Sequence, residues 1–123
     1  MNGPAPDPAE LSGKVRVFEV WAFWCGPCLA AAPHLNGLQQ KYAPRGVELI
    51  GLTEENSSTL DASIKFLEQG KITWRNGYGA GPTLGTLNFR GIPMAWVVDR
   101  EGKIVWTGHP LALPEKLLDD LLQ

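Results

Sequence analysis

The chain predicts an α/β fold: a central mixed β-sheet, built from a parallel βαβ unit and a C-terminal antiparallel hairpin, with helices on its flanks. Two observations predict it. Val15 to Ala22 and Val47 to Thr53 are short, nearly continuous apolar runs joined by a stretch of helical spacing, the order of a right-handed crossover between parallel strands. Further on, Ala95 to Val98 and Lys103 to Thr107 flank the polar segment Asp99-Arg100-Glu101-Gly102, the pattern of a β-hairpin.

Taken in order, residues 1–12 are rich in Pro, Gly and Ala and read as a flexible lead-in; residues 13–123 read as a single domain. The first strand is interrupted by one acid, Glu19. A helix is expected from about Cys25 to Tyr42, with Leu29, Ala30 to Ala32, Pro33, Leu35, Leu38 and Tyr42 at its spacing and a kink at Pro33. Pro44-Arg45-Gly46 ends it. After the second strand, Ser57 or Ser58 is expected to cap a helix whose buried stripe is Leu60, Ile64, Phe66 and Leu67. Ile72 to Gly85 holds Trp74 and Tyr78 among glycines, and reads as a loop or short strand followed by a helical turn near Thr83 to Phe89. No function is assigned to this loop beyond its glycines and aromatics as material for a client-binding rim. Pro114 is expected at the first position of a last helix, with Leu117, Leu118, Leu121 and Leu122 on its apolar side.

Composition excludes several classes. The 123 residues suffice for one core without disulfide staples, and 44% hydrophobic with 20% charged residues is an ordinary globular balance. A formal charge of −2 and scattered Lys and Arg give no footprint for nucleic acid, and no segment reads as a membrane span. Met1 to Glu10 has no Lys or Arg and no apolar core, so no secretory leader is visible. The chain is then either cytoplasmic or a mature piece carrying a new Met1.

The chemistry concentrates in Trp24-Cys25-Gly26-Pro27-Cys28, which holds both cysteines of the chain where a strand gives way to a helix. Two cysteines at this spacing can close a small disulfide ring, reopen it, and leave one thiol to attack another disulfide. Cys25 falls at the expected helix N-terminus, where free N–H groups and the helix dipole favour a thiolate and lower the thiol pKa to about 3.5–7.5 in such motifs. It is the candidate nucleophile, and Cys28 the residue that resolves the mixed disulfide. A fixed staple or half a zinc site is the alternative, but a zinc site needs about four ligands, and His34 and His109 lack finger spacing. His34 reads as a surface residue and His109 as part of a turn. Gly26 and Pro27 shape the ring, and Trp24 flanks it at the surface, whereas Trp21, Trp96 and Trp106 read as core.

The strand, the Trp-Cys-Gly-Pro-Cys motif, a helix proline eight positions after the first cysteine, and Gly91-Ile92-Pro93 before a hairpin and helix together resemble the thioredoxin fold. Lys14-Val15 before the first strand, Arg45 to Leu52, and Gly91-Ile92-Pro93 with Val98 to Ile104 are similar to the extracytoplasmic thiol-disulfide reductases related to TlpA and ResA. The resemblance implies an enzyme that reduces protein disulfides by dithiol exchange, with no cofactor beyond the Cys25–Cys28 couple and no metal. It also implies a disulfide-containing client, an upstream electron-donor protein, a monomeric chain and an extracytoplasmic compartment, with the cytoplasm left open. Glu19, six residues before Cys25, takes the place of the buried acid of thioredoxins and would accept the Cys28 proton through water; a solvated strand-edge carboxylate is the plainer alternative. Pro93 is expected to be cis and to face Cys25, exposing the Ile92 backbone for strand-like pairing with a client.

This chain also departs from those relatives. Leu29 and Ala31 stand where envelope reductases usually have a basic residue and an acid, and Val47 to Thr53 lacks the lysine that typically partners the buried acid. Two further readings stay open: a thiol-dependent peroxidase-like enzyme, and a non-catalytic interaction module with a structural disulfide.

Overall fold

The computed structural model describes residue 1, residues 11–84 and residues 91–123. Most of the expected lead-in therefore lies outside the described residues. Five strands, β1 (Val15–Val20), β2 (Val47–Leu52), β3 (Arg75–Gly77), β4 (Met94–Val98) and β5 (Ile104–Gly108), form one sheet in the order β3-β2-β1-β4-β5. Among the described residues, four α-helices accompany them: α1 (Gly26–Tyr42), α2 (Leu60–Gln69), α3 (Gly81–Leu84) and α4 (Glu115–Leu121). β1 pairs in parallel with β2 from Val15 opposite Val47 to Val20 opposite Leu52, and β2 in parallel with β3. β4 runs antiparallel to β1, and β5 antiparallel to β4. The mixed sheet is the one expected, and of the two readings of Ile72 to Gly85, a loop or a short strand, the strand holds: Arg75–Gly77 forms an edge strand paired with β2.

Alternation along β1 sorts its side chains to two faces. Val15 and Val17 point toward α1 and α4, where they pack with Leu35, Leu38, Tyr42 and Leu118; Phe18 and Val20 point the other way, toward Ala80, Leu84 and Trp96. Glu19 therefore shares the face of Val15 and Val17, beneath α1, in a strand buried on both sides as its apolar run predicts. On α1 the buried stripe is Cys28, Ala31, Ala32, Leu35, Leu38 and Tyr42, whereas Pro33 is exposed rather than part of that stripe. Tyr42 ties the end of α1 to α4, its hydroxyl donating to Asp119 Oδ1 at 3.0 Å beside the Arg45–Asp119 ion pair at 2.9 Å.

Several local expectations are corrected. Asn56, not Ser57 or Ser58, is the cap before α2: its Oδ1 accepts from the Ser58 amide at 2.9 Å and opens a 3₁₀ turn over Ser57–Thr59. Ser57 and Ser58 lie inside that turn, and Asn56, in extended conformation just before it, is the residue placed to accept the free N–H. Phe66 and Leu67 are buried on α2, while Leu60 and Ile64 are half-buried. The helical turn lies at Gly81–Leu84, earlier than expected, and the remainder of the Thr83 to Phe89 expectation falls on 85–90, outside the described residues. Pro114 is the N-cap of α4 and Glu115 its first residue. Trp21 and Trp96 are buried as expected, but Trp106 sits on edge strand β5 and is only half-buried. In the hairpin, Asp99 Oδ1 accepts from the amides of Glu101 and Lys103 at 2.9 Å each, and Gly102 adopts φ +90°.

Candidate active site

The site forms where β1 ends and α1 begins. β1 stops at Val20, two residues short of the expected Ala22, and the connection through Trp21 to Trp24 brings Cys25 to the N-cap of α1 in extended conformation, φ −94° and ψ 101°. Its Sγ accepts from the Cys28 amide at 3.2 Å, so the sulfur takes one of the helix N-terminal donors. Gly26 and Pro27 fill the first turn, where a proline removes no helical hydrogen bond. Cys25 and Cys28 are joined as a disulfide, with their Cα atoms 5.3 Å apart. Both cysteines are buried in this oxidised form, within a cluster that includes Trp21, Ala22, Phe66 and Leu67. Trp21 stacks on Phe66 with ring centroids 4.6 Å apart and the planes 4° from parallel, so α2 supports the site from its side.

Trp24 is 65% exposed at the rim, and its indole N–H donates to Glu55 Oε1 at 2.7 Å. Trp24, Glu55 and Ile92, with Val20, Trp21, Ala22, Thr53 and Glu54, line a cleft of about 320 Å³ beside the motif. Ile92 packs against the cluster that contains both cysteines, and the Ile92–Pro93 peptide bond is cis. The cleft thus adjoins the cysteine motif on the side where Gly91, Ile92 and Pro93 precede β4.

Glu19 is 3% exposed. Burial pushes its carboxyl up to about 8, partly opposed by the Trp74 indole N–H, which donates to Oε1 at 3.2 Å. The plainer alternative of a solvated strand-edge carboxylate is thereby overturned. No lysine faces it from β2: its register partner is Gly51. A Cβ at Gly51 would collide with Asn76 Oδ1 and Glu19 Oε1, so the glycine makes the room these two side chains occupy. Asn76 in turn accepts from the Trp21 indole at 2.8 Å and donates to the Trp74 carbonyl at 2.8 Å. Trp74 and Asn76, from the glycine-rich segment after α2, thus link Glu19 to the tryptophan that packs with the cysteines. Trp74 is 3% exposed and cannot belong to a client-binding rim, whereas Tyr78 is exposed. Gly51 could have been found from sequence, since a glycine in a buried strand marks a close approach; nothing in the sequence identified Trp74 or Asn76.

His109 caps a 3₁₀ turn, its Nδ1 accepting from the Leu111 amide at 3.1 Å, and His34 lies half-buried on α1. Among the described residues, no three His, Cys, Asp or Glu side chains converge as metal ligands, and no helix is long and apolar enough to cross a membrane.

A family model described as Redoxin matches residues 2–120. The thiol:disulfide interchange protein HelX of Rhodobacter capsulatus is 34% identical over 106 residues, covering 85% of this chain and 57% of that protein. The thiol-disulfide oxidoreductase ResA of Bacillus thuringiensis is 29% identical over 107 residues, covering 85% of this chain and 60% of that protein. The chain thus spans somewhat over half the length of these curated relatives. A Chlorobium tepidum structure, provisionally assigned as the thiol:disulfide interchange protein DsbE, superposes with a TM-score of 0.81 at 27% identity over 94% of this chain and 84% of that one. A thiol-disulfide isomerase from Corynebacterium glutamicum shares the fold with a TM-score of 0.80 at 22% identity, over 98% of this chain and 86% of that one. With its cysteine pair at the start of α1 and its five-stranded mixed sheet, the chain belongs to the Redoxin family, as a TlpA/ResA-like member of the thioredoxin superfamily.

Proposed function

We propose that the chain is a thiol-disulfide oxidoreductase that reduces protein disulfides by dithiol exchange. The observation that carries this reading is the Cys25–Cys28 disulfide at the first turn of α1, with Cys25 Sγ accepting a helix N-terminal N–H. In the reduced form the same amide and the helix dipole favour a Cys25 thiolate. That thiolate attacks one sulfur of the client disulfide, forming a mixed disulfide and expelling the other client sulfur as a thiolate. Cys28 then gives up its proton and attacks the Cys25 sulfur, which restores the internal disulfide and releases the second client thiol. Two electrons pass from the cysteine pair to the client.

Glu19 receives the Cys28 proton in this scheme. A carboxyl held near 8 is a far stronger base, once ionised, than an ordinary glutamate, and its position beneath α1 is the support for the role. Ile92 and Trp24 border the cleft in which the client peptide lies, with the Ile92 backbone and Pro93 as its docking edge. Gly26 and Pro27 set the geometry of the ring. The reading requires no cofactor or metal beyond the cysteines, a single copy of the chain, and a donor protein that reduces Cys25–Cys28 after each turnover. Kinship with ResA and HelX favours an extracytoplasmic compartment.

Insulin disulfide reduction by the dithiothreitol-supplied protein tests the activity, together with equilibration of the couple against glutathione. Turnover that is lost in Cys25→Ser is the expected result. A potential below about −300 mV without turnover would mark the disulfide as a structural staple.

A further inference from the structure

We propose that Trp74, clamped by Asn76, is the positioning residue for Glu19, supplying through one indole N–H the orientation and charge stabilisation that no cation on β2 provides. The proposal rests on the reading of Glu19 as proton acceptor. Three observations converge on it. Trp74 Nε1 donates to Glu19 Oε1 at 3.2 Å with both side chains buried. The Asn76 amide holds the Trp74 carbonyl at 2.8 Å, while its oxygen accepts from Trp21 at 2.8 Å, so one side chain fixes both the tryptophan below Glu19 and the tryptophan packed with the cysteines. Gly51 has no side chain to compete for this space, and a Cβ there would displace Asn76 and Glu19 together.

Among the described residues, the strand neighbours of Glu19 carry no charge that could replace this contact. Gly51 faces it from β2, Ala95 from β4, and Trp74 and Asn76 from β3 and the turn before it. On the α1 side the cluster that contains Trp21 holds Cys25 and Cys28, which are joined to each other, and Met1 packs at its edge. Burial and the Trp74 hydrogen bond are accordingly the causes that set the Glu19 carboxyl. In a dry site, a donor to the ionised form favours the carboxylate that must receive a proton, and fixes which oxygen faces which way.

The test is a ¹³C NMR titration of the Glu19 side-chain carboxyl in the oxidised protein, assigned by its loss in Glu19→Gln and repeated in Trp74→Phe. Phenylalanine keeps an aromatic ring in the core and deletes the N–H. Wild type is expected to titrate near 8, and Trp74→Phe about one pH unit higher, the size expected for a lost hydrogen bond to a charged group. With the reduced protein, resolution of the mixed disulfide at neutral pH should slow about tenfold in Trp74→Phe, following the smaller carboxylate fraction, while its formation through Cys25 is unchanged. A folded Trp74→Phe whose Glu19 midpoint stays within about 0.3 pH unit of wild type overturns the proposal. Where Trp74→Phe does not fold, Asn76→Ala, which frees the Trp74 carbonyl, should move the midpoint upward by a smaller amount; an unmoved midpoint there overturns it equally. Failure of the exchange reading would show itself separately, as wild-type protein that forms no mixed disulfide, and the titration would still decide whether Trp74 sets the Glu19 carboxyl.

Discussion

Replacing Glu19 by Gln should make the protein more stable as pH rises, and the size of the gain follows from the burial of one carboxyl. Glu19 is 3% exposed and its pKa is raised from 4.5 to about 8, chiefly by desolvation. Below about pH 4.5 both the folded and the unfolded chain hold this proton, and the residue contributes no pH dependence. Between about 4.5 and 8 the unfolded chain releases the proton while the folded chain keeps it, so the unfolded state binds fewer protons and stability falls with rising pH. At about 1.4 kcal/mol per pH unit the loss amounts to roughly 5 kcal/mol by pH 8, and is constant above it. That is a large part of the 5–15 kcal/mol typical of a whole domain. Glutamine cannot ionise, yet its amide oxygen can still accept from Trp74. Urea unfolding of wild type and Glu19→Gln, disulfide intact, from about pH 4.5 to about 8.5, measures the difference with every other titrating group shared. The variant should gain about 4–5 kcal/mol relative to wild type across that range. A difference that stays flat within about 1 kcal/mol would refute the assignment of a buried, proton-holding carboxyl.

Two further substitutions test the packing around the site. Gly51→Ala inserts a Cβ into the space of Asn76 and Glu19 Oε1, and should cost about 2–3 kcal/mol in urea unfolding; a loss below about 0.5 kcal/mol would mean that the space is not filled as described. Asn56→Ala removes the side-chain cap on the Ser58 amide and should lower stability by about 1 kcal/mol, while Ser57→Ala stays within about 0.5 kcal/mol; equal effects would return the cap to the serines.

The sheet was legible because β1 and β2 are apolar on both faces and the hairpin carries its own turn signal, so period and loop chemistry agreed. β3 was only partly legible, as a loop or a short strand: three residues, Arg75, Asn76 and Gly77, are too few to show alternation, and pairing with β2 decides for the strand. The cysteine pair announced itself by spacing and by the change from strand to helix. Glu19 was visible as an acid in an apolar run, but its partners were not. The contact with Trp74 spans 55 positions and depends on the register of three strands, which no local pattern encodes. Asn56 takes the cap because the serines lie inside the 3₁₀ turn and Asn56 is the extended residue just before it, a choice decided by backbone geometry rather than residue preference.

Capture of a client on Cys25 tests the central reading most directly. Reduced Cys28→Ser, mixed with a disulfide substrate such as insulin and analysed by non-reducing mass spectrometry, should accumulate a mixed disulfide through Cys25 that wild type resolves within its turnover time. Reduced Cys25→Ser should form little or none. No adduct in Cys28→Ser, or equal adduct through Cys28 in Cys25→Ser, would contradict the assignment of Cys25 as the attacking thiol at the start of α1.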